Sequence, residues 1–347
     1  MIHSINTQIR QLAIHFVGNK SLEDGIELSE SVIEQPDDKT IEALMKYFLT
    51  SIKGEELHEF NHESDLELNE LYSYCTKIFK EKRNFFSQSK NIAKHLYECS
   101  EHPKIKSGEF YVVYFTDLIL DDEAFDAIGL FKSESKDTFL KVKRKNHVFN
   151  VSSEEGINTN KLDKGCLIFN TDETTGFKIA IVDNLNKSAE AQYWKDSFLN
   201  VKPVNDDFNK TKEFLGIAKN FVVKQFSEDF EVSKSDQIDL LNRSVEYFKT
   251  NDSFDKKDFE KTVFQEPEII KSFRNYDTNY REDNNLDIDD QFDISKPAVK
   301  KQSKVFKSVL KLDKNFHIYI HGDKNLIEKG VEKDGRKFYK IYFDKEI

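Results

Sequence analysis

Between Gly108 and Asp183 the chain passes through short apolar segments, FYVVYF, AIGLF, FLKVK, HVFNV, CLIFN and FKIAIV, separated by acidic or Gly- and Asn-containing turns. Runs of this length, rich in β-branched and aromatic residues and bounded by turn formers, predict strands. IRQLAIHFV, residues 9–17, predicts an earlier strand stopped at Gly18-Asn19, and a short apolar run, IELSESVIE, closes at Pro36. The period then changes. Asp37 or Asp38 can accept the orphan amides of a first helical turn, and Ile41, Leu44, Met45, Phe48, Leu49 and Ile52 recur at helical spacing before Gly54. The acidic run over 55–70, without Lys or Arg, predicts a solvated loop or exposed helix. KIFKEKRNFF and QSKNIAKHLYECSEHP follow as a basic helical region, in which Ile92, Leu96 and Cys99 share a face until Pro103.

Beyond the strands, residues 206–226 place Phe208, Thr211, Leu215, Ala218 and Val222 on one helical stripe. Further helices are predicted in SDQIDLLNRSVEYFKTN, at 255–264 and at 267–281. DNNLDIDDQFDISK, residues 283–296, is acidic with few large apolar groups and reads as a linker or mobile loop. VFKSVLKLD, FHIYIHG, LIEKGVE and KFYKIYF then predict a small basic antiparallel sheet. The expected class is α+β: a central mixed or antiparallel sheet with flanking helices, a following helical region and a small C-terminal antiparallel sheet. The expected boundaries are 1–205 for the α+β domain, 206–282 for the helical region, 283–296 for the linker and 297–347 for the C-terminal β subdomain.

Composition changes this picture mainly through aromatics and charge. With 30 Phe and 13 Tyr in 347 residues, the chain can bury large cores without disulfides. Its three cysteines, Cys75, Cys99 and Cys166, are odd in number and widely spaced, which makes the cytoplasm the expected compartment. No stretch of 18 apolar residues occurs, so no membrane partner is expected. The only tryptophan, Trp194, has the amphipathic ring that suits a domain seam.

The net charge of -11 counts against a polyanionic partner, but the charge is uneven. Residues 227–295 hold 19 Asp and Glu against 9 Lys and Arg, whereas residues 296–347 hold 14 Lys and Arg against 7 Asp and Glu. In FLKVKRKNHVFNV, period-2 alternation sends Leu140 and Val142 one way and Phe139, Lys141, Lys143 and Lys145 the other, with Asn146 turning the chain. Such a ridge is either an ordinary solvated face of the central sheet or a track for backbone phosphates.

Candidate catalytic chemistry is sparse. His58-Glu59-Phe60-Asn61-His62 has the spacing of a helical zinc hydrolase site, yet it follows Gly54 closely, lies in the acidic run and lacks a hydrophobic helix face. His95, Cys99 and His102 would share one face of a helix as weak metal candidates, but no fourth ligand is adjacent. Asp117, Asp121, Asp122, Glu123 and Asp126 between two strands could serve a divalent-metal nuclease, although their composition is that of an acidic turn. Phosphate-cradling glycine motifs and CxxC are absent, and no cofactor is expected.

GEFYVVYFTDLILDDEAFDAIGLFKSE, LDKGCLIFN and WKDSFLNVKPVNDDFNKTKEFLGIAKNFV together resemble the bacterial 37-kDa nucleoid-associated protein family. INTQIRQLAIHFVGN, SVLKLDKNFHIYIHG and KFYKIYF fit the same arrangement, so the likeness covers nearly the whole chain. The resemblance implies association with the nucleoid and with DNA, and it identifies no contact residue; the preferred reading is a non-enzymatic, cytoplasmic protein whose partner is double-stranded DNA. From charge alone, Lys141, Lys143, Arg144 and Lys145 in the hairpin, with Lys300, Lys301, Lys304 and Lys307 nearer the C-terminus, are the candidate contacts to backbone phosphates. Phe338, Tyr339 and Tyr342 could stack on bases, with core packing as the competing use. The alternatives are a protein-interaction or homo-oligomeric adapter and a metal-dependent nuclease.

Overall fold

The computed structural model describes residues 2–34, 36–185, 193–304, 306, 309–312, 314, 316–319, 326–343 and 345. The chain forms two compact units, Met1–Val204 and Asn205–Ile347.

Strands of the first unit are β1 (Ile2–His3), β2 (Gln8–Val17), β3 (Ile26–Glu27), β4 (Leu57–Phe60), β5 (Gly108–Leu120), β6 (Glu123–Ser133), β7 (Asp137–Lys145), β8 (Val148–Gly156), β9 (Lys164–Phe169), β10 (Lys178–Asp183) and β11 (Val201–Pro203). The central sheet runs β11-β4-β10-β9-β6-β5-β2-β3, with β1 added along β5, and its described pairings are antiparallel. Helix α1 (Asp38–Leu49) covers one face, while α2 (Glu70–Lys80) and α3 (Phe85–Glu98) cover the other.

This layering explains why β5 reads as a continuous apolar run. Phe110, Val112 and Tyr114 join the core beneath α2 and α3, whereas Tyr111, Val113 and Phe115 join the core beneath α1. A strand buried on both faces has no polar side to alternate with. On the α1 side, Phe48 stacks on Phe131 at 4.3 Å between ring centroids and meets Tyr111 and Phe115 edge-on. The helix that carries Phe48 is started by Asp37, whose carboxylate accepts the Thr40 amide at 3.0 Å.

Three expectations for the first unit need correcting. First, the acidic run contains β4, which is paired to β10 on one side and β11 on the other, with Leu57, His58 and Phe60 buried. Tertiary pairing and a few inward side chains outweigh the charge of the run, and the extended backbone also separates His58 and His62 from any common helical face. Second, Trp194 does not mark a seam: it is wholly buried within the first unit, against Phe110, Tyr193 and Phe198. Third, FLKVK and HVFNV do not enter the central sheet. They form the separate two-stranded sheet β7–β8, an excursion between β6 and β9, which themselves pair.

A buried histidine in β2 gives the first unit a pH dependence. The His15 Nδ1 accepts the Ser29 amide at 3.1 Å, so Nε2 carries the proton and donates to Ser89 Oγ at 3.0 Å. Ser89 in turn donates to the Phe86 carbonyl at 2.8 Å. A second proton would face the Ser29 N–H, and burial, aided by nearby Lys90, lowers the His15 pKa from 6.5 to about 4. Between those values the unfolded chain takes up a proton that the folded chain refuses, so stability falls as pH falls and levels off below the window. The expected loss is about 3 kcal/mol. Denaturation followed by the fluorescence of Trp194, the single tryptophan of the chain, should show this slope in the native protein and a flatter one in His15→Gln.

The second unit contains α4 (Asp207–Asn220), α5 (Phe226–Asp229), α6 (Lys234–Thr250), β12 (Ser253–Asp255), α7 (Lys256–Val263), α8 (Pro267–Asp283), β13 (Gln291–Asp293) and α9 (Lys296–Ser303). The pairs β14 (Val309–Leu312) with β15 (Phe316–Tyr319), and β16 (Ile327–Val331) with β17 (Lys337–Ile341), make its small antiparallel sheets. Its core is aromatic: Phe214 lies within 4.3–6.1 Å of the rings of Phe248, Phe254, Phe259 and Phe273. Local signals start the helices, with Asp206 capping α4, a reciprocal Ser233–Asp236 box capping α6, Asp255 capping α7 and Pro267 in the first turn of α8.

The acidic segment 283–296 is integrated into this unit. Strand β13 pairs with β12, and Ile288, Phe292 and Ile294 are buried in the aromatic core. Its acids are answered locally: Asp290 lies 3.5 Å from both Lys256 and Arg281, and Asp289 lies 2.6 Å from Lys210. Composition alone therefore overstated the polarity of the segment, because three apolar side chains suffice to seat it.

Candidate nucleic-acid interface

Strands β7 and β8 are joined by Asn146 and His147, both at positive φ, as a two-residue hairpin turn requires. Asn146 is suited to that conformation, which is why the turn was visible in the sequence. The cross-strand register pairs Lys141 with Ser152, Lys143 with Asn150 and Lys145 with Val148. These residues share a face with Phe139 and Glu154, while Leu140, Val142, Arg144, Phe149 and Val151 occupy the opposite face.

Both faces are exposed. Beyond their first and last residues the two strands contain no buried or half-buried position. On the lysine face, Lys141 is held by Glu154 at 2.9 Å, whereas Lys143 and Lys145 form no ion pair among the described residues. Arg144 lies on the other face, where it donates to His147 Nδ1 at 3.1 Å and sits 5.7 Å from the Phe149 ring centroid. The sequence candidates are thus split: Lys141, Lys143 and Lys145 make a ridge, and Arg144 faces away from it.

The root of the hairpin is anchored by a charge network that sequence inspection missed. Lys132, the penultimate residue of β6, is the register partner of Lys164, the first residue of β9, and both are wholly buried. Lys164 Nζ donates to both Asp183 oxygens at 2.8 and 2.9 Å. Lys132 Nζ donates to the Lys106 carbonyl at 2.8 Å and lies 3.5 Å from Glu134, which also accepts the Tyr193 hydroxyl at 3.0 Å. Burial lowers the Lys132 pKa, with Glu134 opposing it and the nearby Lys164 adding to the fall. Asp163 accepts the amides of Glu134 and Ser135 at 2.7 and 2.8 Å, and Asp137 accepts from Asn158 and Lys161 at 2.8 and 3.0 Å. The arm therefore leaves a rigid root. Nothing in the sequence marked Lys132 and Lys164, because only the strand register sets them opposite one another and buries them.

The other candidate lysines belong to the second unit. Lys300 and Lys301 are exposed on α9, with the Lys301 ammonium 5.6 Å from the Phe208 ring centroid, and Lys304 follows the helix as its C-terminal cap. Lys307 lies outside the described residues. Tyr339 packs with Leu312, Ile318 and Ile327 around Ile238, which is a core role, and Phe338 lies across Gly330, where a Cβ would come within 2.2 Å of its ring.

Of the metal and nuclease candidates, His95 Nε2 and Cys99 Sγ lie 3.8 Å apart, while the others are separate or engaged elsewhere. Helix α3 ends at Glu98, so His102 lies outside it and cannot join a helical triad; its Nδ1 accepts the Lys104 amide at 3.2 Å. His95 Nε2 is 3.1 Å from the Phe198 carbonyl, and Cys99, its thiol pushed up to about 11 by burial, donates to the Ser197 carbonyl at 3.6 Å. In the acidic turn, Asp121 and Asp122 adopt the positive φ of a hairpin loop, and Asp126 accepts from Tyr114 at 2.6 Å and pairs with Lys82 at 2.9 Å. Among the described residues, no group of three His, Cys, Asp or Glu side chains is arranged to hold a metal ion. No helix is long and apolar enough to cross a membrane, again among the described residues.

Comparison with curated proteins finds no match. Comparison with family models does: the model described as nucleoid-associated protein YejK matches residues 13–336, which takes in most of the central sheet, the hairpin, the helical unit and the C-terminal strands β14, β15 and β16. The chain belongs to the family of nucleoid-associated protein YejK.

Proposed function

We propose that this protein binds double-stranded DNA in the bacterial nucleoid without sequence preference, and that the lysine face of the β7–β8 hairpin is a principal contact. The observation that carries the reading is the uncovered ridge Lys141, Lys143 and Lys145, on an arm with no buried position between its ends, in a member of a nucleoid-associated family. Lysines alternating along one strand stand about 7 Å apart, close to the spacing of successive phosphates along one DNA strand, and they meet the backbone as point charges. Such contacts position a protein without reading bases. Lys300, Lys301, Lys304 and Lys307 are proposed as a second set of phosphate contacts on the other unit, and no catalytic step or cofactor is invoked.

The net charge of -11 makes the local character of the ridge essential. The test is a salt titration of binding to DNA fragments of unrelated sequence. Retention at low salt, a linear fall of log affinity with log salt and similar values across sequences are expected. No retention at low ionic strength would reject the reading. The exposed apolar face of the same arm favours a protein contact as well.

A further inference from the structure

The hairpin face opposite the lysines presents Leu140, Val142, Phe149 and Val151 at 72, 61, 65 and 64% exposure. A two-stranded ribbon is marginal in water unless an apolar face is covered. A contiguous patch of large apolar side chains on an otherwise charged surface calls for an occupant.

The charges at the two ends of this face point to what that occupant is. Toward the turn the face ends in Arg144, cross-strand from Phe149, and toward the root it ends in Glu155, cross-strand from Thr138. Lys136, which feels the charge of Glu155 at the root, is engaged by Glu109 at 2.7 Å. We infer that the occupant is a second copy of this chain, laid face to face and antiparallel across a two-fold axis. In that arrangement each strand lies over its own counterpart, so that Arg144 of one copy lies diagonal to the partner's Glu155, within reach of the two long side chains, twice by symmetry, and Val142 packs over the partner's Leu140 beside the axis. A two-fold interface must be self-complementary, and an apolar centre with a cation at one end and an anion at the other satisfies that condition. The parallel arrangement would set like charges together at both ends.

The inference does not rest on DNA binding, because the lysines lie on the other face of the ribbon. In the dimer, Lys141, Lys143 and Lys145 of both copies point outward. The strands supply nine residues each, fewer in total than the roughly 20–30 per side of a standard interface, so the dimer is reversible and depends on concentration.

Sedimentation equilibrium of the full chain, over a concentration series without DNA, tests this. The expected result is a mass rising from one to two chains. Val142→Ser/Val151→Ser should weaken association at least about tenfold with the far-UV spectrum unchanged, since both side chains are exposed. Arg144→Glu and Glu155→Arg should each weaken it, and the two together should restore it, whereas Lys143→Glu on the other face should leave it alone. A monomer throughout the series overturns the inference. So does a dimer indifferent to the serine pair, or a double charge swap no stronger than the single ones.

Discussion

Asp183→Asn is expected to destabilise the first unit by about 2–4 kcal/mol, more than any change on the hairpin surface, because it leaves a buried ammonium without its counter-ion. Lys164 is wholly buried, and its Nζ is bound to both oxygens of Asp183 at 2.8 and 2.9 Å. The neutral amide keeps one acceptor but supplies no charge. The range is set below the full cost of breaking a buried pair because the Asp183 side chain keeps 20% of its exposure. Replacing both partners, as in Lys164→Met/Asp183→Leu, should recover much of the loss, since desolvating the pair is itself costly. Chemical denaturation followed by Trp194 fluorescence reports on this unit alone, because the single tryptophan lies in its core. An unchanged midpoint for Asp183→Asn would show that the pair is not as closed to solvent as its geometry indicates.

The second large effect is on DNA. Reversing Lys141, Lys143 and Lys145 to glutamate should lower affinity by a factor of at least about 100 near 0.1 M salt, and the slope of log affinity against log salt should shrink by about 2.7, or 0.9 for each lost phosphate contact. Repulsion from three new carboxylates adds to the loss. The effect should be uniform across unrelated sequences, as expected for contacts that position without reading bases. Folding should be unaffected, since these positions are exposed and not part of either core. Affinity and slope equal to those of the native protein would remove the hairpin from the interface and leave the α9 lysines as the surviving candidates.

Much of the local structure was legible because capping and periodicity are local. Asp37 before α1 announced a helix start, and the spacing of apolar residues behind it carried the helix onward; the predicted starts at 255 and 267 fall within a residue of those of α7 and α8. The hairpin turn at Asn146 and the opposed faces of β7 were legible for the same reason. The strand β4 was not, since its pairing partners Ile179 and Val201 lie more than a hundred residues away, and the carboxylates around it dominate any local window. The linker reading of 283–296 failed similarly, with Phe292 finding Phe254 at 4.6 Å across a long sequence gap.

Alone, the sequence determined which residues share a face: Leu140 with Val142, Lys141 with Lys143 and Lys145, Phe110 with Val112 and Tyr114. Periodicity follows from backbone geometry and needs no partner. What covers each face was decided only in three dimensions. Helices cover both sides of β5, no described residue covers either side of β7, and Lys132 and Lys164 are buried while neighbouring lysines stay in water. Burial depends on segments distant in the chain, and a lysine carries no local mark of the carboxylate that will meet it.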